Sequence, residues 1–378
     1  MFDLPDLLAI PSLDDIAEIK YQSWRIWLAR ETQLRTLLGL YIIDGVISQY
    51  SGSPTVAQHM ANQLPVPCAE EVYNATNPDE WLRCMLYSGK TQHRQRFCDL
   101  FRRFFYSPDD KNSSIPPSLS FFALKVILEG LKSLVAESKR IEPPPVGVPS
   151  QSEINVVLDR VREYIQAHPT LSSLERSTAM LRWHAVCLDA LAITARGARR
   201  LCAGHGIVQH IFGGGRRIEK DISAERHINR DYARRTLLHA CEIQRIASQL
   251  PLGLAHDPHV PGAVFAAATT FSAFALAGRT QMVFPETVDW HLAVLLASSD
   301  GDSRPNNTMP DANLAEPTNE TTRFIHGRLA AQDGRGTVFR DLSYELSSIR
   351  LLLRALGLQW GVCEEMEEVV DAWVAKCT

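Results

Sequence analysis

The sequence lacks the spacings that common catalytic chemistry requires. It has no Gly-x-x-x-x-Gly-Lys-Ser/Thr loop to cradle a phosphate and no His-Glu-x-x-His pair to hold a catalytic metal. It also has no Gly-x-Ser-x-Gly turn to expose a nucleophilic serine. Cys-x-x-Cys is missing too, so the eight cysteines at 68, 84, 98, 187, 202, 241, 363 and 377 read as separate reduced thiols, mostly buried, in the cytosol or nucleus. Alternating apolar and polar runs of useful length are absent and Asn-Gly hairpin signals are missing, which argues against a β-rich fold. No basic start precedes an apolar stretch: MFDLPDLLAIPSLDDIAEIK carries four Asp and no base before Lys20, so no export is expected. The longest uncharged run, Val260 to Gly278, is mainly Ala, Thr, Ser and Phe and reads as a buried helix rather than a membrane span. With no export expected, Asn-x-Ser/Thr triplets such as those at Asn112, Asn306 and Asn319 read as chance matches.

Charge of one sign is scarce as well. Thirty-nine Lys and Arg against 43 Asp and Glu give a net charge of −4 over 378 residues, which excludes nucleic-acid binding by global positive charge. The composition, 45% hydrophobic and 22% charged, is that of soluble globular proteins and is ample for a large core without metal or disulfide staples.

What is present is helical periodicity. Trp24, Trp27, Leu28, Leu34, Leu38, Tyr41 and Ile42 recur at three and four, and Glu31 stands four before Arg35, predicting one long amphipathic helix that ends near Gly52-Ser53-Pro54. Asn77-Pro78-Asp79-Glu80 supplies a cap, a first-turn proline and acids at the positive end of a dipole, predicting a second helix that opens on Trp81. Further helices are predicted over residues 121–138, 152–167, 175–195, 230–249, 262–277, 342–356 and 363–375. The last places Met366, Val369, Val370, Trp373 and Val374 on one stripe, with Glu364, Glu365, Glu367, Glu368 and Asp371 around the rest. Two polar or proline-rich stretches, near 138–152 and 298–321, read as mobile loops. No repeat of solenoid period is visible. The expected fold is all-α: an irregular multi-helix bundle forming a single compact domain over 21–378, after an N-terminal extension at 1–20.

The residues that could suggest chemistry have simpler readings. Gly204-His205-Gly206 and Gly213-Gly214-Gly215-Arg216-Arg217 lack the third glycine of a dinucleotide fingerprint and a preceding strand, and read as an interhelical turn. In His256-Asp257-Pro258-His259 the proline breaks any helix that would aim both imidazoles, and no third ligand is evident. His205, His210, His227 and His239 have no metal-ligand spacing, and no cysteine is marked as a nucleophile. Arg196, Arg199, Arg200, Arg216, Arg217, Arg226, Arg230, Arg234 and Arg235 make the middle of the chain locally basic, with a smaller cluster at Arg102-Arg103. Without interleaved aromatics these read as a solvated face paired with acidic helices such as the last one, rather than a nucleic-acid patch.

One constellation is ordered over about sixty residues: Trp24-Arg25-Ile26-Trp27-Leu28-Ala29-Arg30-Glu31, Arg35, Tyr41, Asp44, Leu64-Pro65-Val66-Pro67-Cys68 and Glu80-Trp81. It resembles the fungal-specific transcription factor regulatory domain, the middle homology region. The later stretches His239-Ala240-Cys241, Pro261-Gly262-Ala263-Val264-Phe265 and Leu356-Gly357-Leu358-Gln359-Trp360-Gly361-Val362-Cys363-Glu364-Glu365 are similar to the subgroup that usually follows two-Cys two-His zinc fingers.

The resemblance implies an all-helical regulatory module of nuclear transcription factors, with cytoplasm as the other location, controlling a fungal metabolic or secondary-metabolite pathway. It implies structural roles for Trp24, Trp27, Glu31, Arg35, Tyr41, Asp44, Pro65, Pro67, Trp81 and Trp360. Trp24 and Trp27 would be core anchors, Glu31 and Arg35 an ion pair, and Asp44 a local cap or partner. Expected partners are the transcription machinery or a DNA-binding transcription factor, with homo- or heterodimerisation open. No catalysis, cofactor, metal, membrane contact or sequence-specific DNA binding is expected. The family's zinc-dependent DNA-binding segment has no Cys/His counterpart in this sequence, and only some twenty residues precede the paired tryptophans, as expected of a gene model lacking its beginning or of a shortened paralogue. The alternative is a helical domain that binds a small metabolite or has been recruited to catalysis; a scaffold or dimerisation module without effector is the third reading.

Overall fold

The computed structural model describes residues 13–51, 55–57, 61–88, 95–106, 119–138, 148–192, 194–211, 231–251, 253–295, 319–329 and 336–377. Fourteen helices and one two-stranded sheet are formed among them, so the fold is an all-α multi-helix architecture. The two expected loops fall largely outside the described residues, as do Asn112, Asn306, Gly213–Arg217, Arg226, His227 and Arg230. Among the described residues no helix is long and apolar enough to cross a membrane.

Residue contacts group the chain into two units, one of residues up to Ile42 together with His59–Ile127, the other of Ile43–Gln58 together with Leu128–Thr378. The first unit holds most of α1 (Leu13–Ser51), then α2 (Glu70–Tyr73), α3 (Pro78–Ser88), α4 (Phe97–Arg103) and the start of α5 (Phe121–Ser138). Helix α1 begins eleven residues before Trp24, so residues 13–20, read from sequence as an extension, are helical. Ile16 and Ile19 continue the three-and-four spacing, and Lys20 pairs with Asp79. The core of this unit is built by Leu38, Val72, Phe97, Leu100, Phe101, Phe104, Ala123, Leu124, Val126 and Ile127, all without solvent exposure. An isolated antiparallel bridge joins Pro65 to Arg96, which aligns the Leu-Pro-Val-Pro segment just before α4 begins.

The second unit contains α6 (Gln151–Ala167), α7 (Ser173–Leu191), α8 (Thr194–Gly204), α9 (Asp231–Gln249), α10 (Val260–Leu276), α11 (Trp290–Leu295), α12 (Glu320–Ile325), α13 (Leu342–Gly357) and α14 (Val362–Cys377). Helix α10 is its axis: fifteen of its seventeen residues are buried, wrapped by α7, α8, α9, α13 and α14. That enclosure explains its uncharged, small-residue sequence, since a helix apolar all round is stable only when covered all round. Trp373 of α14 lies against Phe265 of α10 with ring centroids 5.4 Å apart.

Starts and stops follow the local chemistry. Ser150 with Glu153 and Ser172 with Glu175 form capping boxes at α6 and α7. Asn77 Oδ1 accepts from the Glu80 amide at 2.9 Å at the start of α3. The helix expected from 175 to 195 is broken, because Ala192 is extended (φ −148°, ψ 126°). Asp189 accepts from the Thr194 amide at 3.1 Å and hydroxyl at 2.5 Å, which satisfies the first turn of α8 in a new direction. After α10, Gly278 adopts φ +78° while its amide and that of Arg279 bond back to Ala275 and Phe274, a Schellman closure that glycine makes without strain. This turn delivers β1 (Gln281–Pro285), which pairs antiparallel with β2 (Thr337–Asp341) in the register Val283 to Phe339. No sequence signal marked this ladder: each strand is five residues long and its partner lies over fifty positions away.

Candidate functional site

In the first unit, residues of the ordered motif meet along one face of α1. Glu31, buried among this unit's residues, accepts at Oε1 from Arg35 Nε at 3.1 Å and from the Cys68 amide, next to Pro67, at 3.0 Å. Arg35 also donates to Glu70 Oε2 at 2.8 Å and to the Cys68 carbonyl at 3.0 Å, with its guanidinium 4.0 Å above the Tyr73 ring. Burial pulls the Arg35 pKa down, but Glu70 first and then Cys68 and Glu31 outweigh it, so the group is held above its ordinary value. Burial pushes the Cys68 thiol well up, with Glu31 adding to the shift, so it is no nucleophile. One turn earlier, Trp27 meets Trp81 with centroids 5.7 Å apart. Trp24 and Trp27 are half-buried rather than fully enclosed, Trp24 resting 6.0 Å from Tyr21.

The remaining motif residues stand apart from this cluster. Tyr41 is half-buried on α1, and Asp44 Oδ2 accepts from the amides of Val56 and Ala57 at 2.9 and 2.8 Å, tying down the chain beyond the helix. Pro65 makes the bridge to Arg96, and Pro67 is buried. Trp360 packs against the core of the second unit in the turn between α13 and α14.

In the second unit the sequence signals did not mark the most heavily buried polar groups. Arg182 of α7 donates through Nε and Nη2 to the two oxygens of Glu129 at 2.7 and 2.5 Å, and through Nη1 to Gln49 at 2.8 Å. Lys132 donates to the Gly45 carbonyl at 2.6 Å. Burial, and then Arg182, bring its ammonium down to about 8. Between α7 and α9, His184 and His239 face each other with Nδ1 atoms 2.9 Å apart, edge-on to Trp183 and close to Trp290. Burial drives both imidazoles well down, so both are neutral and one Nδ1 donates to the other. His184 Nε2 is buried without a partner. An orphaned lone pair is the cheaper vacancy, so we assign the bridging proton to His184 Nδ1.

The described members of the basic cluster do not form one solvated face. Arg235 is buried and donates to the Ala293 and Val294 carbonyls at 2.6 and 2.7 Å, capping α11, while Arg199 reaches the Ser51 carbonyl at 3.3 Å. Two acids of α14 take their partners from α13 instead: Asp371 from Arg350 and Glu367 from Arg354, each at 2.8 Å. His256 Nε2 bonds the Pro251 carbonyl at 3.0 Å, whereas His259 is buried at the start of α10. Among the described residues, one set of three ligand-type side chains has its atoms within 4.8 Å of one another: Asp159, Glu163 and His291. The sequence could reveal only the first two, four apart on α6; His291 arrives from α11 by tertiary packing. No family model, curated protein or solved structure matches the chain.

Proposed function

We propose that this chain is a transcription-regulatory module of the fungal type, acting in the nucleus through contacts with the transcription machinery or with a DNA-binding factor, and controlling a metabolic or secondary-metabolite pathway. The observation that carries the reading is the meeting, in the first unit, of motif residues separated by more than fifty positions in the case of Trp27 and Trp81. Trp27 with Trp81 and Glu31 with Arg35 and the Pro67-Cys68 loop are each other's partners. The carboxylate of Glu31 and the guanidinium of Arg35 are spent on holding α1 to the chain that follows, which suits residues with an architectural role rather than one in turnover. The scattered use of the central arginines as helix caps and ring partners is in keeping with a chain that leaves base reading to another protein.

The test is a pair of assays on the full chain. Fused to an unrelated DNA-binding domain, it is expected to raise or lower a reporter several-fold, and substitution of Arg35 by Met is expected to remove the effect by loosening the first unit. By itself it is expected to give no sequence-selective mobility shift in physiological salt; a selective shift at nanomolar concentration would overturn the reading. So would a fusion that leaves the reporter unchanged in either direction.

A further inference from the structure

We propose that Asp159, Glu163 and His291 form a binding site for a divalent transition-metal ion of the zinc type. Asp159 and Glu163 stand one turn apart on α6, so both project from the same flank, and α11 packs on that flank to bring His291 across it. Asp159 Oδ2 lies 2.6 Å from His291 Nδ1, and the three ligand atoms fall within 4.8 Å of one another. Two carboxylates and one imidazole make a mixed oxygen and nitrogen set that suits Zn2+ better than Mg2+ or Ca2+, which favour all-oxygen cages. Three protein ligands leave a fourth tetrahedral position for water.

Arg162 has to be accounted for, because it already pairs with this group. Its Nε and Nη2 donate to Asp159 Oδ1 at 3.0 and 2.8 Å, and Nη1 is tied to Gln166 at 3.0 Å. Arg162 therefore grips one carboxylate oxygen and leaves the other turned to His291. That is the arrangement by which outer partners orient a ligating carboxylate in metal sites. Its contact with Glu163 is looser, at 3.6 Å, so that carboxylate can rotate onto an ion.

Asp159 is fixed by burial, with 7% of its side chain exposed, while His291 and Glu163 are 56% and 64% exposed and give an ion a way in. Metal–ligand bonds of about 2.0 to 2.1 Å at a tetrahedral angle place ligand atoms about 3.3 Å apart. The site accordingly opens slightly at His291 and closes at Glu163, movements that two exposed side chains can make.

The experiment titrates the tag-free full chain, first stripped with a chelator, with Zn2+ by calorimetry and with Co2+ by visible absorption. Expected are one ion per chain and a cobalt band of four- or five-coordinate intensity. Glu163→Gln and His291→Ala are each expected to weaken binding about tenfold or more, and the double variant to abolish it, with metal-free melting unchanged. The proposal is overturned if Zn2+ shows no saturable binding below millimolar concentration, or if the double variant binds as the parent does. Either single variant suffices should the other fail to fold, since each removes a different ligand from a different helix.

Discussion

At the scale of single residues, the strongest commitments are the charges and imidazoles taken out of water. The Arg182–Glu129 pair is almost wholly buried, 2% of each side chain being exposed, and both carboxylate oxygens are engaged. Such a pair gains little over a well-packed apolar pair, yet removing one member strands the other. Arg182→Met is therefore expected to lower unfolding free energy by about 3–5 kcal/mol in denaturant titration, and Arg182→Met with Glu129→Met to recover most of that loss. The histidine pair gives a pH signature. Both imidazoles have folded-state pKa values below their ordinary value near 6.5, because burial opposes the charged form. The unfolded chain thus binds protons first as the pH falls, and folding loses free energy from about 6.5 downward, through the range to about 3 where His184 is protonated in the fold. His184→Phe or His239→Phe should flatten that part of the stability curve, whereas an unchanged acid limb in the double variant would contradict the burial of the pair. Neither group was legible in the sequence: Glu129, Arg182 and His184 sit at ordinary helical positions, and only tertiary packing brings Gln49 to the arginine and His239 to the histidine.

At the scale of elements, two glycines of one helix make opposite predictions. Glycine inside a helix costs about 0.5–1 kcal/mol relative to alanine, so replacement should stabilise wherever space allows. At Gly39 an added Cβ meets no atom within 4 Å, and Gly39→Ala is expected to raise the melting temperature by about 1 °C. At Gly45 the same atom would fall 2.0 Å from Glu129 Oε2, the oxygen that Arg182 holds. Gly45→Ala must push that buried carboxylate aside and is expected to destabilise by about 1–3 kcal/mol, despite the better helix propensity. Elements of this length were largely readable in advance. The periodicity of α5, α6, α9, α10, α13 and α14 placed each within a residue or two, since three to five turns of amphipathic or uniformly apolar sequence leave little ambiguity. What escaped were α8, whose start merges into the helix expected over 175–195, and pieces too short to carry a period: α2, α4, α11, α12 and the strands β1 and β2, which exist because neighbours complete them. The site divides in the same way. Glu31 and Arg35 are an i, i+4 pair visible on the page, but Cys68, which bonds both, and Glu70, which bonds Arg35, are set by the fold, as is the meeting of His291 with Asp159.

At the scale of the whole molecule, the eight cysteines report on packing across both units. All are free thiols; Cys68, Cys98, Cys187, Cys202, Cys241 and Cys363 are buried, and Cys84 and Cys377 are partly exposed. Burial also raises several of the thiols, Cys202 to about 11 and Cys241 and Cys363 to about 12, which starves them of the reactive thiolate. Access and ionisation therefore act together. An aromatic disulfide reagent at pH 8 is expected to label Cys84 first and Cys377 more slowly, because burial raises the latter as well. The other six should react only at the rate at which their surroundings open, and all eight should react at once in denaturant. Mass spectrometry of labelled peptides at early times separates the cases. Prompt labelling at Cys98 would mean that the first unit's Phe97, Phe101 and Phe104 cluster is open in solution, and prompt labelling at Cys187 or Cys241 would mean the same of the α7 and α9 pairing that encloses the histidines. Because each thiol stands alone, a reducing agent should leave the melting temperature where it was.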